Sequence, residues 1–515
     1  MIPMSLARIA EIVGGTLHDV PDPDAMVTGG VEFDSRKVAE GGLFLALPGA
    51  RVDGHEHAAA AVAAGAVAVL AARPVGVPAV VVAPLAPTQT NAMALEHDTD
   101  GSGAAVLAAL AKLARAGTDE LTAAGLTVVG VTGSSGKTST KDLLAAVLAP
   151  LGPVVAPPGS FNNELGHPWT ALRADAETGY LVLELSARGV GHIAALAETV
   201  PPRIGVILNV GTAHLGEFGS REAIAATKGE LAQALPPADQ GGVAVLNADD
   251  RLVAAMAQRT RARVVLVGQS ENADVRAVDV RLDDEARASF QLTCAQGTVA
   301  VTLGVHGEHQ VGNALAAAAV ALECGASLDQ VATALAGARP VSTRRMQVQQ
   351  RGDGVTVVDD SYNANPDSMR AALKALVTMA RSVSGEQRRT WAVLGEMAEL
   401  GPESVIEHDA IGRLAVRLDV TRLIVVGTGR PSRAMNQGAI MEGSWGEESM
   451  LVPDADAALE VLRGEVAAGD IVMVKASQSV GLWTVAEALL ADGGPIEMTG
   501  NMRAIGNMGE TKENQ

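Results

Sequence analysis

The stretch Val128 to Val147, VVGVTGSSGKTSTKDLLAAV, decides the fold. Val128, Val129 and Val131 predict a short buried strand, and Leu143, Leu144 and Val147 fall at the spacing of a helix packed on a sheet. The loop between them lies at the helix N-terminus, where free backbone N–H groups and the helix dipole favour an anion. Gly133 and Gly136 let the backbone wrap round a phosphate, with Thr132, Ser134, Ser135 and Ser139 completing the cradle. Lys137 then neutralises the β/γ oxygens, and the Thr138 hydroxyl sits on a magnesium ion. The first glycine falls at position 130, so the match is to the short G-x-x-G-K-T form. A Gly/Ser turn with a surface lysine is the plainer reading. The strand before the loop and the helix after it favour an ATP or GTP site.

A chain of 515 residues is too long for one core and predicts about three domains. With 48% hydrophobic residues and 2% aromatic, its cores must be built from Ala, Val and Leu. The formal net charge of −20 argues against nucleic acid as a partner, because phosphate neutralisation needs clustered Lys and Arg. Small phosphorylated ligands need only a local positive pocket. Cys294 and Cys324 build no disulfide framework and have no metal-ligand spacing, which fits a reducing compartment. Met1 to Val13 has a helical pattern without a cleavage-like flank, and the apolar run Ala58 to Ala72 is too short to span a bilayer. A soluble cytoplasmic protein without membrane insertion is expected.

The fold class predicted is α/β, with a central parallel-sheet nucleotide domain flanked by a small N-terminal α/β domain and a C-terminal Rossmann-like α/β domain. Strand candidates before the loop are Gly42 to Leu47, Ala66 to Ala71 and Ala79 to Val82, with a helix at Ala58 to Ala64. Thr88 to Gly103 is polar and reads as an exposed insertion, followed by a helix from Gly103 to Ala116. After the loop, strands at Tyr180 to Leu185, Ile204 to Asn209, Val243 to Asn247 and Val264 to Gly268 alternate with Ala-rich helices, the rhythm of a parallel sheet. Arg339-Pro340 breaks the pattern. A third unit has strands at Val355 to Asp359, Thr390 to Leu394, Leu423 to Gly427 and Ile471 to Lys475. The expected domains are 1–118, 119–340 and 341–492, with a disordered tail at 493–515.

Open parallel sheets place ligands at the carboxyl ends of their strands. Glu184 lies near the end of YLVLEL, and His214 follows IGVILNV. Each alone reads equally well as an ordinary polar strand end. Beside Lys137 and Thr138 they suit magnesium ligation. Lys228, on a helix beginning near Ser220, reads as a solvated face. Asn313, at the start of a helix after His309, either reads a base edge or caps the helix. In Val357 to Pro366, VVDDSYNANP, a strand ends in a small polar stretch that uses one of two tyrosines. An ordinary strand-to-helix turn is the competing reading.

TGSSGKTSTK, NNELG (Asn162 to Gly166), ELSARG, GTAHLGEFGS, KGE, LNADD, GEHQVGNALAA, RRMQ, DDSYNANPDSM and LGEMAELGPES follow one another as in the Mur ligases, which the chain resembles from about residue 5 to 490. The N-terminal FDSRKVAEGGLFLALPGARVDGHEHAAAAV is similar to that family's uridine-nucleotide domain. Within the family, DDSYNANP and GEMAELG resemble the members that add D-alanyl-D-alanine to a UDP-N-acetylmuramoyl tripeptide, the last cytoplasmic amino-acid addition in peptidoglycan precursor synthesis. The resemblance implies ATP and Mg2+ as cofactors and a monomer. Ser35, Arg36 and Asn163 would hold the UDP-sugar substrate. Lys137 and Thr138 would hold the ATP phosphates and magnesium, Glu184 and His214 would complete the metal site, and Lys228 would be carbamylated to hold a second magnesium. Asn313, Arg345 and Asp359 would contact ATP, with Asp360, Tyr362, Asn363 and Asn365 facing the dipeptide. Gln310 stands where relatives usually have Asn, and Arg344 where they have Gly.

Two rivals remain: another ligase of the superfamily, adding the third residue or glutamates to folate, and a regulatory nucleotide-binding ATPase. The first lacks support because the D-Y-A-H-x-P pattern of those relatives is replaced here by Ser361 to Pro366.

Overall fold

The computed structural model describes residues 1–49, 52–86, 95–212, 215–381, 387–443 and 448–493. Three sheets larger than a two-stranded pair organise them. In the N-terminal region the strands run in the order Thr16–His18, Ala79–Val81, Ala66–Ala71, Gly42–Leu45, Val31–Glu32, antiparallel only at the first pair. The opening helix is shorter than the sequence pattern implies. Met4–Ser5 pairs as a strand with Met26–Val27, and Ser5 then caps a helix over Leu6–Val13.

The predicted strand and helix around the loop form at Thr127–Thr132 and Lys137–Leu148. Thr127–Thr132 lies between Tyr180–Glu184 and Ile204–Ile207, parallel to both. The chain winds first to one side of that strand and later to the other, so the crevice at its carboxyl end is where such sheets bind ligands. Val243–Asn247, Arg263–Gly268 and Val275–Leu282 extend the sheet in parallel. The β-branched strands need no aromatic filling because the helix Gln310–Glu323 brings alanines, among them Ala314, Ala317 and Ala318, into the core at zero exposure.

The sheet is mixed, which the βαβ rhythm alone did not foretell. Val275–Leu282, Arg287–Cys294 and Gly297–His306 form an antiparallel meander on its edge. In the second of these Ala288, Phe290 and Leu292 are buried at alternate positions, as in a strand with one covered face. The third sheet is parallel through Thr356–Asp359, Ile471–Lys475, Thr390–Leu394, Arg422–Val426 and Ser449–Val452, with Gln347–Gln350 antiparallel at one edge.

The polar segment expected at 88–103 as an exposed insertion is exposed at Glu96, His97, Thr99 and Asp100. Residues 87–94 lie outside the described residues, but Gly101, Ser102 and Gly103 are buried. The Asp98 carboxylate accepts from the N–H groups of Gly103 and Ala104 and so caps a helix that runs over Ser102–Ala123, well past Ala116. Asp98 and Asp100 of the segment supply helix-capping chemistry. Residues 494–515, expected as a disordered tail, lie outside the described residues. Among those described, no helix is long and apolar enough to cross a membrane.

Candidate active site

The phosphate loop is pinned from the neighbouring strand. The amide of Asn209, just past Ile204–Ile207, accepts from Ser135 N–H at 3.0 Å and donates to the Ser135 carbonyl at 3.1 Å. Ser134 N–H reaches the Asn209 carbonyl, and the Ser134 hydroxyl accepts from Gly211 N–H. Gly136 enters the helix at φ +83°, and a Cβ there would meet the Asn313 side-chain oxygen at 2.6 Å. Asn313 therefore lies directly on the loop, its amide nitrogen donating to Gln310 at 2.9 Å. Asn209 carries the signal that singled out Glu184, a polar side chain ending an apolar strand beside the loop, yet sequence reasoning passed it over.

Lys137 Nζ donates to the Gly133 carbonyl at 2.7 Å. Burial draws its pKa down to about 8, against the opposing attraction of Glu184. Thr138 Oγ1 donates to Glu184 Oε2 at 3.3 Å, and Ser160 and Asn162 donate to the same oxygen at 3.3 and 3.5 Å. Burial raises the Glu184 pKa, while Lys137, Lys141 and Arg345 oppose the rise. Among the described residues its other oxygen is buried with no hydrogen-bond partner, as are Thr132 Oγ1, Thr212 Oγ1 and Arg345 Nε. Buried polar atoms are ordinarily paired. Four without partners on or beside one phosphate loop fit a site that engages a polar ligand. A half-liganded carboxylate beside a threonine hydroxyl is also a donor set suited to magnesium.

Lys228 is buried, against the expectation of a solvated face. Desolvation, and secondarily Lys137, lower its pKa well below that of a free lysine. His214 lies outside the described residues. His167 stands behind the Glu184 strand and is wholly buried; burial draws its pKa to about 4.

The third sheet reaches the loop from the opposite side. Arg345 donates to Thr138 Oγ1 at 3.4 Å while its guanidinium stacks on the Tyr362 ring, 4.2 Å from the centroid. Arg344 and Met346 on either side hold φ of +60° and +46°, so the backbone presenting Arg345 is fixed in an uncommon conformation. Arg344 is anchored by Glu487 at 2.8 Å and by the face of Trp483. Arg345, Met346, Gln310, His306 and Ser139 line a small cleft next to the loop helix.

The polar run after Thr356–Asp359 divides its duties. Asp359 accepts from Ser361, and burial raises its pKa. Asp360 turns inward, contrary to the expected substrate contact. One of its oxygens takes Lys475 Nζ at 2.6 Å and the other Met346 N–H at 3.1 Å, in a buried ion pair. Asn365 caps the helix Pro366–Ala380 by accepting from Ser368 N–H, and its amide donates to the Ser134 carbonyl at 3.5 Å. The side-chain oxygen of Asn363 takes the adjoining Ala364 N–H. Away from this cluster, Asn163 accepts from Gly166 N–H at the start of a helix. Arg36 is exposed, paired with Asp34 in the turn Ser35–Lys37.

A loop cradling phosphate at a sheet crevice, closed by an arginine from a second sheet, defines an enzyme of the phosphate-activating α/β class. Its family can be named. Residues 131–321 match the model of the Mur ligase middle domain, 344–478 that of the Mur ligase glutamate ligase domain, and 28–117 that of the Mur ligase family catalytic domain. A UDP-N-acetylmuramoyl-tripeptide–D-alanyl-D-alanine ligase of Mycobacterium tuberculosis is 64% identical over 506 residues, 96% of this chain and 98% of its own length. The enzyme of that name from Escherichia coli is 32% identical over 96% of this chain and the whole of its own. Among solved structures, MurF from Acinetobacter baumannii superposes with a TM-score of 0.78 at 30% identity, over 95% of this chain and 99% of its own. MurF ligase from Thermotoga maritima in complex with ADP gives 0.71 at 29%, over 90% and 98%. The chain belongs to the Mur ligase family.

Proposed function

We propose that this protein joins D-alanyl-D-alanine to UDP-N-acetylmuramoyl tripeptide at the expense of ATP, a step of peptidoglycan precursor synthesis. The observation that carries the reading is identity of 64% to a relative named for that reaction, across nearly the full length of both chains. The T. maritima neighbour, described in complex with ADP, supports an adenine nucleotide as a ligand of this chain.

A carboxylate is a poor electrophile until it bears a leaving group. The tripeptide's terminal carboxylate attacks the γ-phosphorus, an O–P bond forms, the bond to ADP breaks, and an acyl phosphate results. The amine of D-alanyl-D-alanine then attacks the acyl carbon, the C–N bond forms, inorganic phosphate departs and the nitrogen sheds its proton. Lys137, Arg345 and the loop N–H groups of 132–139 neutralise charge on the transferring group. Asn313, which donates to Gln310 of the cleft wall, is assigned to ATP, as is Asp359 from the third sheet. When bound, magnesium would supply further charge neutralisation between the phosphate oxygens. Thr138, Glu184 and His214 would hold one ion. A buried Lys228 amine, its pKa lowered well below that of a free lysine by desolvation, suits carbamate formation, by which it would serve a second.

Ser35, Arg36 and Asn163 are assigned to the UDP-sugar, and Tyr362 and Asn363 to the dipeptide side. The same proposal takes 1–118, 119–340 and 341–492 as the units carrying the three substrates, in a cytoplasmic monomer. Phosphate release should be measured with UDP-muramoyl tripeptide and, in turn, D-alanyl-D-alanine, L-lysine and diaminopimelate. Release that depends on tripeptide plus D-alanyl-D-alanine is expected; release without any amine would replace the ligase by an ATPase.

A further inference from the structure

Ser134 and Ser135 of the phosphate loop are held by the segment 209–212, and that segment is in turn held from the third sheet. The agent is Asp367, in the first turn of the helix Pro366–Ala380. Its Oδ2 accepts from Thr212 N–H at 3.1 Å, across 155 residues of chain. Its other oxygen faces Arg370, which also binds Glu407 at 2.6 Å, so the carboxylate is steered from behind. The approach is so close that a Cβ on Gly211 would fall 2.0 Å from Asp367 Oδ2. Two residues earlier, Asn365 donates to the Ser134 carbonyl itself. A second glycine-on-glycine approach, Gly216 against Gly401 with a built Cβ 2.7 Å from backbone, locks the same two bodies together further out.

These contacts form one relay. The third sheet docks, Asp367 takes Thr212 N–H, the segment 209–212 is set, and Asn209 and Gly211 fix the backbone of Ser134 and Ser135. We propose that Asp367 is a positioning residue that couples docking of the third sheet to the conformation of the phosphate loop, so that the loop reaches its phosphate-transferring shape only when the amine-bearing unit is in place. The device would suppress wasteful phosphoryl transfer in the open enzyme, where the acyl phosphate would meet water. It rests on the ligase reading above, and Gly211 is its steric counterpart.

The test is a double-mutant cycle on the full chain, with ATP, UDP-muramoyl tripeptide and D-alanyl-D-alanine. Asp367→Ala should lower kcat ten- to a hundredfold, with the KM for the UDP substrate and the thermal midpoint near the parent's. Asp367→Asn, which keeps a side-chain oxygen to accept from Thr212, should recover most of the loss. Gly211→Ala should be as impaired as Asp367→Ala or more, because its methyl collides with the carboxylate on closing. In the Asp367→Ala background the same methyl keeps only a tight contact, 3.3 Å from the Ser134 Cβ, and should add less than twofold. Multiplying defects would overturn the proposal, as would an Asp367→Ala enzyme within twofold of the parent. A fall of ten degrees or more in the midpoint of both Asp367 variants would also overturn it, by making the contact a plain structural tie. An inactive parent enzyme would instead strike the ligase reading.

Discussion

Replacing Lys137 by methionine should make the nucleotide-free protein more stable while destroying its activity. The two effects have one cause. The ammonium is placed among polar groups arranged for a triphosphate, and burial draws its pKa from 10.5 to about 8. At about 1.36 kcal/mol per pKa unit, the protonated form carries a folding penalty of at most about 3 kcal/mol. Lys137 as a whole is half-buried, so that figure is an upper bound. The sign follows from proton counting. Between the folded value near 8 and the unfolded value of 10.5, the unfolded chain binds more protons, so stability rises with pH through this window. Below pH 8 the penalty is present in full. Methionine keeps the stem and removes the charge, so at pH 7 its thermal midpoint should exceed the parent's, and the difference should shrink as pH climbs from 8 toward 10.5.

Turnover should move the other way. Losing a charge that meets the transferring phosphoryl group costs on the order of 10²-fold or more. A non-hydrolysable ATP analogue should raise the parent's midpoint by mass action and leave that of Lys137→Met nearly unmoved. Thermal scans at pH 7, 8.5 and 10, with and without the analogue, together with phosphate-release rates, make the measurement. A variant that melts lower than the parent without nucleotide, and still turns over within a few-fold of it, would refute both halves of the reasoning.

Lys228→Ala should abolish turnover and regain part of it with added short-chain carboxylates, which can occupy the bridging place of a carbamate; an unimpaired variant would return the residue to a purely structural role. Asn363→Ala should raise the KM for D-alanyl-D-alanine more than that for ATP, a split to be read from initial rates at varied concentrations of each substrate. Asn365→Ala should behave differently, raising both constants together and lowering stability by about 1 kcal/mol through loss of its helix cap, with equal behaviour of the two asparagines counting against this division.

What was legible in the sequence was local. The phosphate loop, its strand and its helix are specified within twenty consecutive residues, because glycine, lysine and threonine act there through the backbone next to them. Most parallel strands of the second and third sheets announced themselves by apolar runs, as buried strands do, but the short edge strands Val154–Val155 and Ser449–Val452 did not. The meander at 275–306 was missed because its alternating pattern belongs to a different strand environment from the one the preceding strands had set. Lys228 illustrates a second limit. Four residues after Ile224 and three before Leu231, it shares the buried face of its helix, but a lysine there reads as solvated by its type.

The polar run 359–367 marks where local reading fails. Asp, Asn and Ser are the residues of turns, caps, ion pairs and ligand contacts alike, and composition alone cannot apportion them. The structure does so by partner. Asp360 has both oxygens taken within the third unit, by Lys475 and Met346, and so stabilises the strand end that carries its neighbours. Asn365 shares itself between its own helix and the phosphate loop. Asp367, which turn chemistry would call an ordinary first-turn acid, spends one oxygen across the cleft. A run that looks like one binding loop is thus three mechanical layers: an anchor at 360, a tip at 362–363 whose tyrosine stacks under Arg345, and a docking edge at 365–367. That order follows from geometry, because a strand ending in a sheet must be fixed before its loop can be aimed, and the helix that follows must point its amino end at the body it closes upon.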